Sequence, residues 1–255
     1  MLTFDEAQLM AWLTPLLWPF LRVLAMFTSA PIFSSRSFPV RARILLAMFV
    51  SVAAQASLPS MPVISLNSPE ALGVVAQQVA IGLAIGFVVR LVFSAFEMAG
   101  EVIGYQMGLN FASFFDPTLG GQSSAAGSFF GYMASLLFVV MNGHLLVLMA
   151  VVHSFVAFPV SPDFLTNVRS MQLEHLGSEL FSSALWIALP IIALMLFANL
   201  AMGIISRVAP QISIYAIGFP ITIAVGLVGM TAMLPMLDTP FERLLERMMD
   251  LFGGP

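Results

Sequence analysis

Residues 70–110 read EALGVVAQQVAIGLAIGFVVRLVFSAFEMAGEVIGYQMGLN. Only Glu70, Arg90, Glu97 and Glu101 carry charge, and no proline interrupts the run. An uninterrupted helix over these residues would exceed about 55 Å, against a hydrocarbon core of about 30 Å. The segment must therefore tilt, break or leave the lipid. Its character sets the fold class: all-α, of the integral-membrane type, with about six long, kinked apolar helices arranged as hairpins.

Composition points the same way. Of the 255 residues, 60% are apolar and 9% charged, whereas a soluble domain carries about 25% charged residues. Such a chain cannot cover a water-facing surface with its own charges. All nine basic residues are arginine, the side chain suited to buried, directed contacts. No cysteine is present, which excludes a disulfide framework, a thiolate metal site and a thiol nucleophile. The net charge of −4 forms no basic face for nucleic acid. The opening MLTFDEAQLM is acidic at Asp5 and Glu6, and the apolar run continues to Phe33 without a small-residue cleavage pattern, so it reads as a retained first segment.

Working outward, segment one covers about 8–33 and is punctuated by Pro15, Pro19, Arg22 and Pro31. A basic turn follows with Arg36, Arg41 and Arg43, and segment two covers about 44–58. After segment three, residues 114–130 read FFDPTLGGQSSAAGSFF. Segment four covers about 125–158, with Asn142-Gly143 as a weak point inside it. A polar connector leads to segments five (about 180–206, with a kink expected at Pro190) and six (about 212–236). The tail, 238–255, reads as a short amphipathic helix. Thr239 and Glu242 fit a capping box with Pro240 at the first helical position. Phe241, Leu244, Met248 and Phe252 would share one face. Arginine placement puts Arg36, Arg41, Arg43 and the Arg207 turn on the cytoplasmic side, with both termini outside.

Several constellations could carry function. Gly100, Gly104 and Gly108 lie four apart, as do Gly82 and Gly86, and Gly127 and Gly131. Such stripes let another backbone approach, either within the chain or from other subunits. Arg90, Glu97 and Glu101 are each costly in lipid, by roughly 2.5–3.5 kcal/mol on insertion scales. They read either as buried ionic contacts or as a proton or cation relay. His144 and His153 read as satisfied helix histidines before metal or proton-shuttle roles, and His175 as solvated. No catalytic triad, phosphate loop or metal-ligand cluster appears, so neither an enzyme nor a cofactor is expected. The 18 methionines are adaptable filler.

The loop between segments three and four sets flexible backbone at Gly120-Gly121 beside bulky rings at Phe111, Phe114, Phe115, Phe129 and Phe130. Irregular backbone is tolerated at membrane depth only when buried in protein or lining a wet cavity. That combination fits a removable plug, and equally a re-entrant turn that merely packs.

The opening FDEAQLMAWLTPLLWPFLRVLAMFTSAPIFSSRSFPVRARILLA, the central GYQMGLNFASFFDPTLGGQSS and the turn RVAPQISIYAIGFP together resemble the FliR family. These are the R subunits of the flagellar type III protein-export gate, and the resemblance covers essentially the whole chain. It implies a non-enzymatic inner-membrane subunit at the flagellar basal body, present in one copy. Residues 1–179 would resemble a P subunit, with a plug at about 108–127, and 180–237 a Q-subunit hairpin. The implied plug residues are Phe111, Phe114, Phe115, Asp116, Pro117, Gly120, Gly121 and Gly127. The implied partners are P and Q subunits, the switch protein FlhB, FlhA, and unfolded exported flagellar proteins. Gly82, Gly86, Gly100, Gly104 and Gly108 would pack subunits together. FlhB would meet a cytoplasmic-rim turn at Arg207, Pro210, Gln211, Gly218 and Pro220, where Ser213 stands in place of an Asn common in relatives. A virulence injectisome subunit of the same fold is the near alternative. A secondary transporter using Glu97, Glu101 and His144 is the alternative of another class, and would call for an inverted repeat that the sequence does not display.

Overall fold

The computed structural model describes residues 6–59, 61–64, 68–109, 124–161, 176–209 and 214–253. Among them are eight α-helices and no strand: α1 Glu6–Ser29, α2 Val40–Ala54, α3 Pro69–Met107, α4 Ala125–Val140, α5 Gly143–Ala157, α6 Leu176–Val208, α7 Ile214–Met233 and α8 Asp238–Met249. Among the described residues, four helices are long and apolar enough to cross a membrane, or up to five if the broken pair α4 and α5 counts as one span. The chain is thus an all-α, membrane-type helical protein. The first of the six segments expected is α1, which carries Arg22 and two internal prolines.

Three features refine the reading from sequence. Segment three is one unbroken helix of 39 residues. Segment four breaks where Asn142 takes the left-handed conformation at φ 55°, which Asn tolerates better than most residues. The basic turn is shorter than expected, because α2 begins at Val40, directly after an extended Pro39. Arg41 and Arg43 therefore belong to the start of a helix.

The chain divides into two compact units. The first comprises residues 1–91, 142–176 and 245–255. Here α1 lies along α2 and against the first part of α3. The Gly82 and Gly86 spacing explains the close approach: a β-carbon on Gly82 would come 2.8 Å from Ala25 Cβ, and one on Gly86 would come 2.7 Å from the Met26 carbonyl oxygen. Trp18, Met26, Phe27, Ile81, Ile85 and Phe155 are buried around these contacts. The chain terminus is held too. Phe252 meets Phe158 edge-on at 6.3 Å, and His153 Nδ1 lies 2.9 Å from the Gly253 carbonyl. A carbonyl accepts only, so Nδ1 carries the proton.

The second unit comprises residues 92–141 and 177–244. The end of α3 and α4 form an antiparallel pair. Phe93 meets Phe138 at 5.6 Å, and further along a β-carbon on Gly100 would come 2.8 Å from Gly127 Cα. Phe241 of α8 packs on Phe96 at 5.4 Å and Phe93 at 6.4 Å. Phe241, Leu244, Met248 and Phe252 are all buried, as their spacing predicts. The expected Thr239–Glu242 box does not form. The Thr239 backbone N–H instead donates to Asp238 Oδ1 at 2.7 Å, and its hydroxyl to the same oxygen at 3.3 Å. The helix starts two residues earlier than expected, at Asp238, with the Phe241 N–H donating to the Leu237 carbonyl at 3.2 Å.

Candidate functional site: the roots of the 110–123 loop

Of the expected plug residues, Phe111, Phe114, Phe115, Asp116, Pro117, Gly120 and Gly121 lie outside the described residues. The two roots of that loop are described, and both belong to the second unit.

At the first root, α3 ends on Gly108 at φ 78°, a left-handed residue that glycine adopts without strain. Its N–H donates to the Tyr105 carbonyl at 3.1 Å, closing the last turn. Three residues of α7, one turn apart, cover this end. Phe219 would lie 3.3 Å from a β-carbon on Gly108. The Thr222 hydroxyl donates to the Met107 carbonyl at 3.2 Å. The Met107 side chain fills the space over Gly226, where a β-carbon would come 2.6 Å from its sulfur.

At the second root, α4 opens on Ser124, whose Oγ accepts the Gly127 N–H at 3.0 Å. The Ser124 N–H in turn donates to Glu101 Oε1 at 2.6 Å. A carboxylate at a helix N-terminus satisfies an orphan donor and meets the positive end of the dipole. Glu101 and Glu97 lie one turn apart on α3, and each crosses a glycine of α4. A β-carbon on Gly127 would come 2.9 Å from Glu101 Cδ, and one on Gly131 would come 3.0 Å from Glu97 Oε1. The acidic pair and the Gly127/Gly131 pair are thus one feature, with the glycines making room for the carboxylates.

The remaining expected residues divide as follows. Gly82 and Gly86 pack on α1, and Gly100 on the first turn of α4. At these three positions the chain's own helices fill the space. Gly104 is buried in α3, Arg90 and Glu97 are exposed, and Glu101 is half-buried. Arg207 is exposed at the end of α6; in α7, Gly218 is buried and Pro220 exposed. Pro210 and Gln211 lie outside the described residues, as does His175. Among the described residues no group of three His, Asp or Glu could hold a metal.

The residue that sequence reasoning passed over is Arg22, which belongs to the first unit and is fully buried. Its Nε donates to Gln78 Oε1 at 2.8 Å, Nη1 to Ser154 Oγ at 2.8 Å and Nη2 to the Phe158 carbonyl at 3.0 Å. The guanidinium also lies 3.6 Å from the centre of the Phe155 ring. Gln78 donates onward to Gln77, and Gln77 holds the Pro159 carbonyl at 2.9 Å. This network ties α1, α3 and α5 together with neutral acceptors. The one sequence signal was a charge between two prolines in an apolar segment.

The long apolar helices define the class as an all-α, membrane-type helical protein. The sequence profile of the family described as "Bacterial export proteins, family 1" matches residues 13–248. The chain is similar to "Flagellar biosynthetic protein FliR" of Escherichia coli K12, with 40% identity over 99% of this chain and 97% of that relative. It is 37% identical to the protein of that name from Pectobacterium carotovorum, with the same coverage. The protein of that name from Bacillus subtilis is 28% identical over 92% of this chain and 93% of its own length. The chain belongs to this family of bacterial export proteins.

Proposed function

We propose that this chain is a core subunit of the flagellar type III protein-export gate, sited in the inner membrane at the basal body. Family membership over nearly the whole length carries this reading, and the long apolar helices support it. The chain acts with other export components. We take these to be P and Q subunits, FlhB and FlhA, with unfolded flagellar proteins as cargo. Its part is steric rather than catalytic. Residues 1–179 and 180–237 serve as the P-like and Q-like parts, and 108–127 serves as the plug.

The single observation that supports a plug is the contrast at the loop's edges. Both roots are pinned, by Thr222 and Phe219 at one side and Glu101 at the other. The intervening stretch carries phenylalanines beside Gly120-Gly121. Firm roots fix where such a segment begins and ends. Deleting residues 116–122 in a flagellated cell should let small solutes leak across the inner membrane. An intact permeability barrier, with the variant assembled, would remove the plug from the account.

A further inference from the structure

The N-terminal end of α2 presents positive charge that no described residue answers. Arg36, Arg41 and Arg43 fall within eight positions, and no acidic residue lies among them. Among the described residues, none of the three has a side-chain hydrogen bond or ion pair. Arg36 and Arg41 are exposed. Arg43 is half-buried, and its Nε is out of solvent with no partner. A buried donor left bare is costly. The helix start itself is uncapped: Pro39 offers no side-chain acceptor to the first turn, so its N–H groups add to the positive end.

Beyond the arginines the helix changes character. From Ile44 to Ser57 there is no charge, and the apolar side chains stand largely uncovered, with Leu45 63% and Phe49 78% exposed. The 18-residue stretch Val40–Ser57 has a mean hydropathy of 1.4 and a length of about 27 Å, close to a hydrocarbon core of about 30 Å. Arg41 and Arg43 differ by only about 3 Å along the axis. They project in different directions, so they form a collar at one depth and not a pocket on one side. A guanidinium reaches outward from such a position and grips phosphate with two parallel bonds.

We propose that this collar binds the phosphate headgroups of anionic phospholipids while the uncovered face of α2 lies in the acyl layer. The charge complementarity and the abrupt change to exposed apolar residues together point to a lipid and not to an acidic protein surface. The inference needs only that α2 meets a bilayer. It does not depend on which cargo the gate carries.

The test uses the full-length chain, solubilised in a neutral detergent with whatever subunits accompany it. Equal amounts of phosphatidylglycerol and phosphatidylcholine are added, and native mass spectrometry counts the bound lipids. The wild-type chain should favour phosphatidylglycerol. In R36Q/R41Q, which alters two exposed side chains, that preference should fall roughly 25-fold, at about fivefold per arginine. Arg243→Gln, an exposed arginine of α8, should leave the preference unchanged. Inorganic phosphate should not displace the lipid beyond the effect of chloride at matched ionic strength. An unchanged preference in R36Q/R41Q would overturn the proposal. So would displacement by inorganic phosphate alone, which would mark a free-anion site. Loss of an accompanying protein with lipid counts intact would do so as well, in favour of a protein partner.

Discussion

Glu101 Oε1 accepts the backbone N–H of Ser124 at 2.6 Å, joining the end of α3 to the start of α4 across the base of the 110–123 loop. The carboxylate does for α4 what a capping side chain usually does from within its own helix. Glu101→Ala should therefore loosen that root. A hydrogen bond to a charged group contributes about 1.5–3 kcal/mol. We expect a lower unfolding temperature for the solubilised chain and faster proteolysis within 108–127. Glu101→Gln keeps an acceptor and should lose less. Equal effects from both variants would mean that charge matters and the bond does not.

The glycines separate into crowded and open positions. Gly100 faces the Ala126 and Gly127 backbone so closely that Gly100→Val must push α4 away, and it should sharply reduce the yield of folded chain. Gly203 in α6 has nothing within 4 Å of a β-carbon. Gly203→Ala should leave the isolated chain's stability unchanged, or raise it by up to about 1 kcal/mol through helix propensity. A Gly203→Ala chain that folds normally but no longer co-purifies with other gate components would identify the outer side of α6 as a subunit contact.

Arg22→Met would strand three acceptors in the first unit: Gln78 Oε1, Ser154 Oγ and the Phe158 carbonyl. Buried acceptors without partners cost about 1–3 kcal/mol each, so the variant should accumulate poorly in the membrane. Arg22→Lys supplies a charge but not the planar fork, and should rescue only part of that loss. Protease resistance of membrane-inserted protein measures both. Full accumulation of Arg22→Met would show that the network fine-tunes the fold without holding it up.

What could be foreseen from sequence follows from the range of the interactions involved. Long apolar runs announce long helices because a period and a length are local properties, and Asn142-Gly143 announces its break for the same reason. The tail's buried face is legible from its spacing, but its first residue is not, because the helix opens on the Leu237 carbonyl and not on a capping side chain. Arg22 is opaque in one dimension: its partners lie 56, 132 and 136 positions away. Glu101 illustrates the middle case. Its cost in lipid is visible in the sequence, whereas its use at Ser124 depends on α3 and α4 running back along each other.

The unbroken α3 has a geometric corollary. Its 39 residues give a rod of about 58 Å, which would fit inside a slab of about 30 Å only if inclined by about 59°. Spanning helices incline by about 0–40°. Even at the upper limit the rod rises about 44 Å, roughly 14 Å more than the oily layer is thick. The chain must therefore carry part of its own scaffold into the aqueous or protein-filled space beside the membrane. Labelling α3 residue by residue with a water-soluble reagent should accordingly find the accessible positions grouped at one or both ends of the rod.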